Sequence, residues 1–185
     1  CRRSAERQRE SRLARGDAHC WRLDMTKALS SVPAKAGTQS SDMAPNAPGS
    51  CFRRRTLTWQ DMDAGEVEAH PERAGDVVLA RKDAPTSYHL AATLDDAEMG
   101  VTHVLRGDDL RAATDIHRLL QALLDLPTPV YRHHPLLVDA GGKRLAKRSG
   151  GLSLAELREG GTDPVKLRDD LRHGRFPVGI AMASA

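Results

Sequence analysis

Polar and charged residues occupy nearly every position of residues 4–15, which predicts an exposed helix with Ser4 as N-cap, Glu6 in its first turn and Gly16 at its end. Trp21 to Met25 (WRLDM) predicts a short strand. Residues 30–50 are rich in Ser, Ala, Pro and Gly and hold no periodic apolar positions, which predicts a disordered insertion or long loop. Leu57–Trp59 and Val77–Ala80 are the next strand candidates, separated by an acidic turn around Asp61 to Glu68.

From Asp76 onward the pattern tightens. Tyr88 to Ala97 fits a helix, with Leu90 and Leu94 one turn apart. Val101 to Leu105 has the length of a strand and is followed at once by Arg106-Gly107-Asp108-Asp109. Ile116, Leu119, Leu120, Leu123 and Leu124 fall at i, i+3, i+4, i+7 and i+8, the spacing of one buried helix face. Thr114 is its expected N-cap, and Pro127 and Pro129 mark its exit. Leu136–Val138 is the last strand candidate. Strand, helix, strand in this order predicts part of a parallel α/β sheet, whose ligands sit at strand C-termini. Arg106 and residues 141–151 are both expected directly after such strands.

Composition narrows the reading. The chain has 185 residues and only 3 % aromatics, so its core must rest on Leu, Val, Ala and Ile. The formal charge of +3 permits a nucleic-acid partner without requiring one. Residues 2–15 carry six arginines against two glutamates, and Arg53, Arg54 and Arg55 form a second cluster. Either could meet phosphates, although solvated helix and loop faces are the commoner explanation of such runs. No apolar run approaches a membrane span, and no apolar stretch follows the arginine-rich start. Three scattered cysteines, Cys1, Cys20 and Cys51, predict reduced thiols in the cytoplasm rather than a disulfide framework.

The strongest chemical signal is residues 141–151, GGKRLAKRSGG, with four cations in six residues between paired glycines. Lysine and arginine donate charge-assisted hydrogen bonds to phosphate oxygens, and glycine lets such a loop close over a ligand. Taken alone, a solvated basic turn remains open.

Six segments occur in one order: residues 76–83 (DVVLARKD), 87–91 (SYHLA), 94–96 (LDD), 100–110 (GVTHVLRGDDL), 134–137 (HPLL) and 143–148 (KRLAKR). Together they resemble the second half of the class I glutamyl-tRNA synthetase catalytic domain, weakly over residues 1–26 and strongly over 56–170. The closer resemblance is to the shortened branch, the glutamyl-Q tRNA(Asp) synthetases. Ala92 stands where the full enzymes carry Asn, and residues 113–117 (ATDIH) replace their Asn-Thr-Pro-x-Gln. Only 37 residues follow Arg148, too few for an anticodon-binding domain of the full-length kind.

The resemblance implies ATP-dependent activation of glutamate, with Mg2+, as glutamyl-adenylate. It further implies transfer to the queuosine base in the anticodon of tRNA(Asp). Tyr88 would contact the glutamate substrate, and Arg106 would pair with one of its carboxylates, a role suited to a planar guanidinium. Arg144, Leu145, Ala146, Lys147 and Arg148 correspond to the KMSKS signature that binds ATP, with Lys147 the catalytic lysine that stabilises transition-state charge. Arg144 and Ala146 depart from the first lysine and the serine of that signature. Cys1 matches the last ligand of the family's zinc site, but one cysteine cannot hold zinc, so no metal is expected here.

The HIGH motif and the first strand–helix units of that fold do not occur in these residues. The chain is therefore read as the second half of a Rossmann-type α/β parallel sheet, with an N-terminal insertion remnant and a short helical tail. The expected divisions are a zinc-stem remnant at 1–70 with an insertion at about 30–55, the catalytic half-domain at 71–151, and the tail at 152–185. A soluble cytoplasmic monomer is expected, with glutamate and tRNA as partners and no membrane. Two other readings stay open: a fragment of an ordinary glutamyl-tRNA synthetase, and a non-catalytic RNA-binding remnant.

Overall fold

The computed structural model describes residues 6–33, 56–145 and 153–183. Ser4, the clustered arginines at 2–3 and 53–55, Cys1, Cys51 and most of the expected insertion lie outside the described residues. The chain divides into two units, one of residues 1–104 and 110–132, the other of residues 105–109 and 133–185.

The first unit begins with helix α1 (Glu6–Ala14), which ends where Gly16 turns to φ 71°. Strand β1 is only Trp21–Arg22, and helix α2 (Met25–Ser30) follows immediately. The strand expected through Met25 is thus cut short, because the Asp24 carboxylate accepts the Lys27 N–H at 3.1 Å and caps a helix there. Val32, placed by its composition in the insertion, is buried in the core.

Strand β2 (Thr58–Asp61) overlaps the strand expected at Leu57–Trp59 and forms an antiparallel hairpin with β3 (Gly65–Glu68), which lies where an acidic turn was expected. Asp61 builds the turn: its Oδ1 accepts the N–H groups of Asp63 at 2.9 Å and Ala64 at 3.0 Å. Strand β4 (Val78–Ala80) pairs antiparallel with β1. Helix α3 (Tyr88–Glu98) buries Thr93, whose hydroxyl donates to the His89 carbonyl at 2.8 Å, whereas the expected contact residue Leu94 is 42 % exposed.

Strand β5 (His103–Gly107) leads through a short 3-10 turn at Asp108–Leu110 into helix α4 (Arg111–Leu124). Leu119, Leu120 and Ile116 are buried as their spacing predicts, each worth about 1.5–3 kcal/mol. Leu124 is exposed, and Thr114 lies inside the helix, fully buried, rather than at its cap. The helix is covered nearly all round: His117, Arg118 and Gln121 are buried as well. Arg118 donates from Nε to the Thr58 carbonyl at 2.7 Å, and burial pushes its pKa down.

The strand that returns after α4 is β6 (Val130–His134), directly after Pro129, and not the expected run at Leu136–Val138. Strands β3, β2, β6 and β5 form one sheet in that order, and β2 runs parallel to β6. A mixed α/β sheet results, with the β2–β3 hairpin supplying the antiparallel pair. Its core joins Met25, Ala28, Leu57, Trp59, Val77, Ile116, Leu119, Leu120 and Tyr131.

In the second unit, β7 (Leu137–Asp139) pairs antiparallel with β8 (Ile180–Met182) and takes no part in the four-stranded sheet. Between them lie helices α5 (Leu154–Glu159) and α6 (Pro164–Arg172). Each has a strong start: Ser153 and Glu156 form a reciprocal capping box, and Asp163 caps a helix that opens on Pro164. Among the described residues no helix is long and apolar enough to cross a membrane.

Candidate functional site

Tyr88 belongs to the first unit, and Arg106, Arg144 and Leu145 to the second, so each set is described by itself. Tyr88 opens α3 and is 53 % exposed, with Ser87 as N-cap. Its ring lies 5.8 Å from that of His89 and 5.7 Å from that of His117. The two imidazoles share a hydrogen bond, Nδ1 of His89 to Nε2 of His117 at 3.2 Å. His117 is thus a buried anchor of α4 against α3. Tyr88 is left on an aromatic floor with its face to solvent.

Arg106 lies within β5 rather than after it, and is half-buried. Its Nε donates to Nε2 of His133 at 3.4 Å. His133 was not singled out in the sequence. The signal was available in β6, whose alternation puts Tyr131 and His133 on one face, both buried, with Arg132 and His134 exposed.

Gly107 follows Arg106 at a crowded point. A Cβ there would come within 2.5 Å of Asp109 Oδ1 and 2.9 Å of the Leu136 side chain, so a larger residue would make these two side chains shift. Asp109 pairs with Arg144, Oδ2 to Nη1 at 2.7 Å. This ion pair joins the end of β5 to the start of the basic loop.

The beginning of that loop is a tight hairpin. Asp139 Oδ1 accepts the N–H groups of Gly141 and Lys143, both at 2.9 Å, and Gly142 supplies φ 77°. The chain folds back so that Arg144 bridges antiparallel to Val138 and the Leu145 N–H donates to the Leu137 carbonyl at 2.9 Å. The loop therefore follows an antiparallel strand, not one of the parallel sheet. Ala146, Lys147 and Arg148 lie outside the described residues.

Among the described residues, no group of three or more His, Cys, Asp or Glu side chains could hold a metal ion. Cys20 is a half-buried free thiol. The described side chains do not fit a zinc centre, and no step is derived through one.

The chain matches one family along nearly its whole length. Residues 2–178 match the catalytic domain of the class I tRNA synthetases (E and Q), and the chain belongs to that family. It is 57 % identical over 108 residues to the glutamyl-Q tRNA(Asp) synthetase of Rhodobacter capsulatus, covering 56 % of this chain and 39 % of that protein. It is 45 % identical over 108 residues to the enzyme of the same name from Symbiobacterium thermophilum, covering 58 % of this chain and 33 % of that one. The glutamate–tRNA ligase 2 of Mesorhizobium japonicum is 38 % identical over 125 residues, 66 % of this chain and 27 % of its own length. The chain thus spans less than half the length of these relatives.

Among solved structures, a glutamate tRNA ligase from Elizabethkingia meningosepticum in complex with its amino acid superposes with a TM-score of 0.51. Sequence identity is 22 %, and the match covers 85 % of this chain and 25 % of that one. This likeness speaks to the fold alone.

Proposed function

We propose that this chain supplies the second half of the site of an ATP-dependent ligase that activates glutamate and transfers it to queuosine in the anticodon of tRNA(Asp). The observation that carries the reading is Arg106, held half-buried in β5 against His133, in the position where the family resemblance puts a carboxylate ligand. Residues 71–151 would then form the catalytic half-domain, working in the cytoplasm.

The roles follow from chemistry. A glutamate carboxylate oxygen attacks the α-phosphorus of ATP, pyrophosphate leaves, and glutamyl-adenylate forms. Arg106 would pair with one carboxylate of the amino acid through its planar guanidinium. Tyr88 would contact the bound glutamate from the start of α3. Arg144, Leu145, Ala146, Lys147 and Arg148 would engage ATP, with Lys147 donating to the phosphate charge that develops in the transition state. Mg2+ would accompany the nucleotide.

The acceptor reading rests on the greater identity to the two glutamyl-Q tRNA(Asp) synthetases. The ordinary ligase remains the second reading, favoured by the longer matched span of the Mesorhizobium relative. The test is transfer of radiolabelled glutamate by the full gene product to tRNA with and without queuosine. Labelling of tRNA(Asp) only when queuosine is present supports the proposal. Labelling at the 3′ end of tRNA(Glu), abolished by periodate treatment of that end, would replace it with the second reading.

A further inference from the structure

We propose that His133 is the positioning residue for Arg106: its buried imidazole accepts the Arg106 Nε–H and aims the guanidinium at a carboxylate. The inference rests on the carboxylate-binding role proposed above for Arg106 and adds a residue to it. His133 sits in β6 at 7 % exposure, and its Nε2 is 3.4 Å from Arg106 Nε.

The geometry dictates the protonation state. Arginine stays charged throughout the range in which proteins fold and carries only donors, so the nitrogen facing it must supply a lone pair. Nε2 of His133 is therefore unprotonated, and the neutral ring keeps its proton on Nδ1. A protonated His133 would put a second cation against the guanidinium and could not accept the bond.

The consequence is orientation. A guanidinium on a flexible stem can present several edges to an anion. With Nε–H directed to His133, rotation of the guanidinium is restricted, and with it the directions its two Nη groups can take. A guanidinium held in one orientation can offer a carboxylate two parallel donors. The device is backed by the backbone, because β6 alternation holds His133 inward beside Tyr131, which is fully buried. Gly107, immediately after Arg106, leaves room for the side chain of Leu136, three residues beyond His133.

The experiment compares His133→Leu, which removes the acceptor, with His133→Gln, whose amide oxygen can replace Nε2, in the full gene product. His133→Leu should raise the KM for glutamate about tenfold, the loss expected for a hydrogen bond to a charged group, with kcat and the KM for ATP nearly unchanged. His133→Gln should recover most of that loss. Equal KM values for His133→Leu and wild type would overturn the proposal, as would His133→Gln behaving no better than His133→Leu. An Arg106→Ala control separates the two claims. If it leaves the glutamate KM unchanged, the carboxylate role of Arg106 fails. If it raises the KM while His133→Leu does not, only the role of His133 fails. Should His133→Leu not fold, 15N NMR of the wild-type ring decides: an Nδ1–H tautomer supports the proposal, and an Nε2–H tautomer sinks it.

Discussion

The indole N–H of Trp59 donates to the Asp115 carboxylate at 2.9 Å, tying β2 to α4. This bond gives the Asp115 side chain a structural task. Trp59 is buried and also stacks edge-on against Tyr131, with ring centroids 5.7 Å apart.

Removing that acceptor should be costly. Asp115→Ala leaves a buried indole N–H without its partner, and should destabilise the fold by about 1–3 kcal/mol. Asp115→Asn, which keeps an oxygen there, should recover most of the loss. Urea denaturation followed by Trp fluorescence measures both, and equal midpoints for Asp115→Ala and wild type would remove this bond from the account.

A second buried pair should behave similarly. The Gln121 amide donates to the Tyr131 hydroxyl at 2.9 Å, with both side chains almost fully enclosed. Tyr131→Phe keeps the ring but strands the amide, and should cost about 1–3 kcal/mol. Making Gln121→Leu in the same chain should cost less than the two separate losses added together, because the two side chains share one hydrogen bond. Thermal melts of the single and double variants test this.

Helix α5 should respond to acid through its capping box. The Ser153 backbone N–H, donating to Glu156 at 2.7 Å, and the Ser153 hydroxyl hold the Glu156 carboxyl below its usual pKa. A depressed folded-state pKa means the contribution is present above the unfolded carboxylate value and lost as pH falls through the folded one. Cα chemical shifts of residues 154–159 should therefore lose helical character on acidification below the ordinary carboxylate range. In Glu156→Ala the helix should be weaker at neutral pH and lack that acid step. An identical acid response in both proteins would rule the box out as its cause.

Within the proposed ligase, Lys147 and Arg106 should fail in different ways. Lys147→Ala removes a donor to transition-state charge and should slow adenylate formation about 10²–10³-fold with little change in glutamate affinity. Arg106→Ala should chiefly raise the glutamate requirement. Single-turnover activation by the full gene product distinguishes them, and a near-normal rate for Lys147→Ala would take it out of the catalytic set.

Local signals in this chain determined what local physics controls. Period-3.6 apolar spacing located α4, Gly16 marked the end of α1, and the GGKRLAKRSGG composition marked a basic loop whose first turn is indeed closed by Gly142. The order of short motifs was enough to reach the family, since spacing along a chain survives without knowledge of contacts. What lay beyond reach was decided at a distance in sequence. Nothing in Leu136–Val138 itself says that it pairs with residues 180–182 rather than entering the sheet, nor does Glu66 announce a strand until β2 lies beside it. Thr114 is fully buried inside α4 while Leu124, at the helix end, is exposed, because burial belongs to the assembled surface. His133 is the sharpest case. Its alternation in β6 was legible, but its meaning depended on Arg106, 27 residues earlier in the chain and brought within 3.4 Å only when β5 and β6 took their places in the sheet.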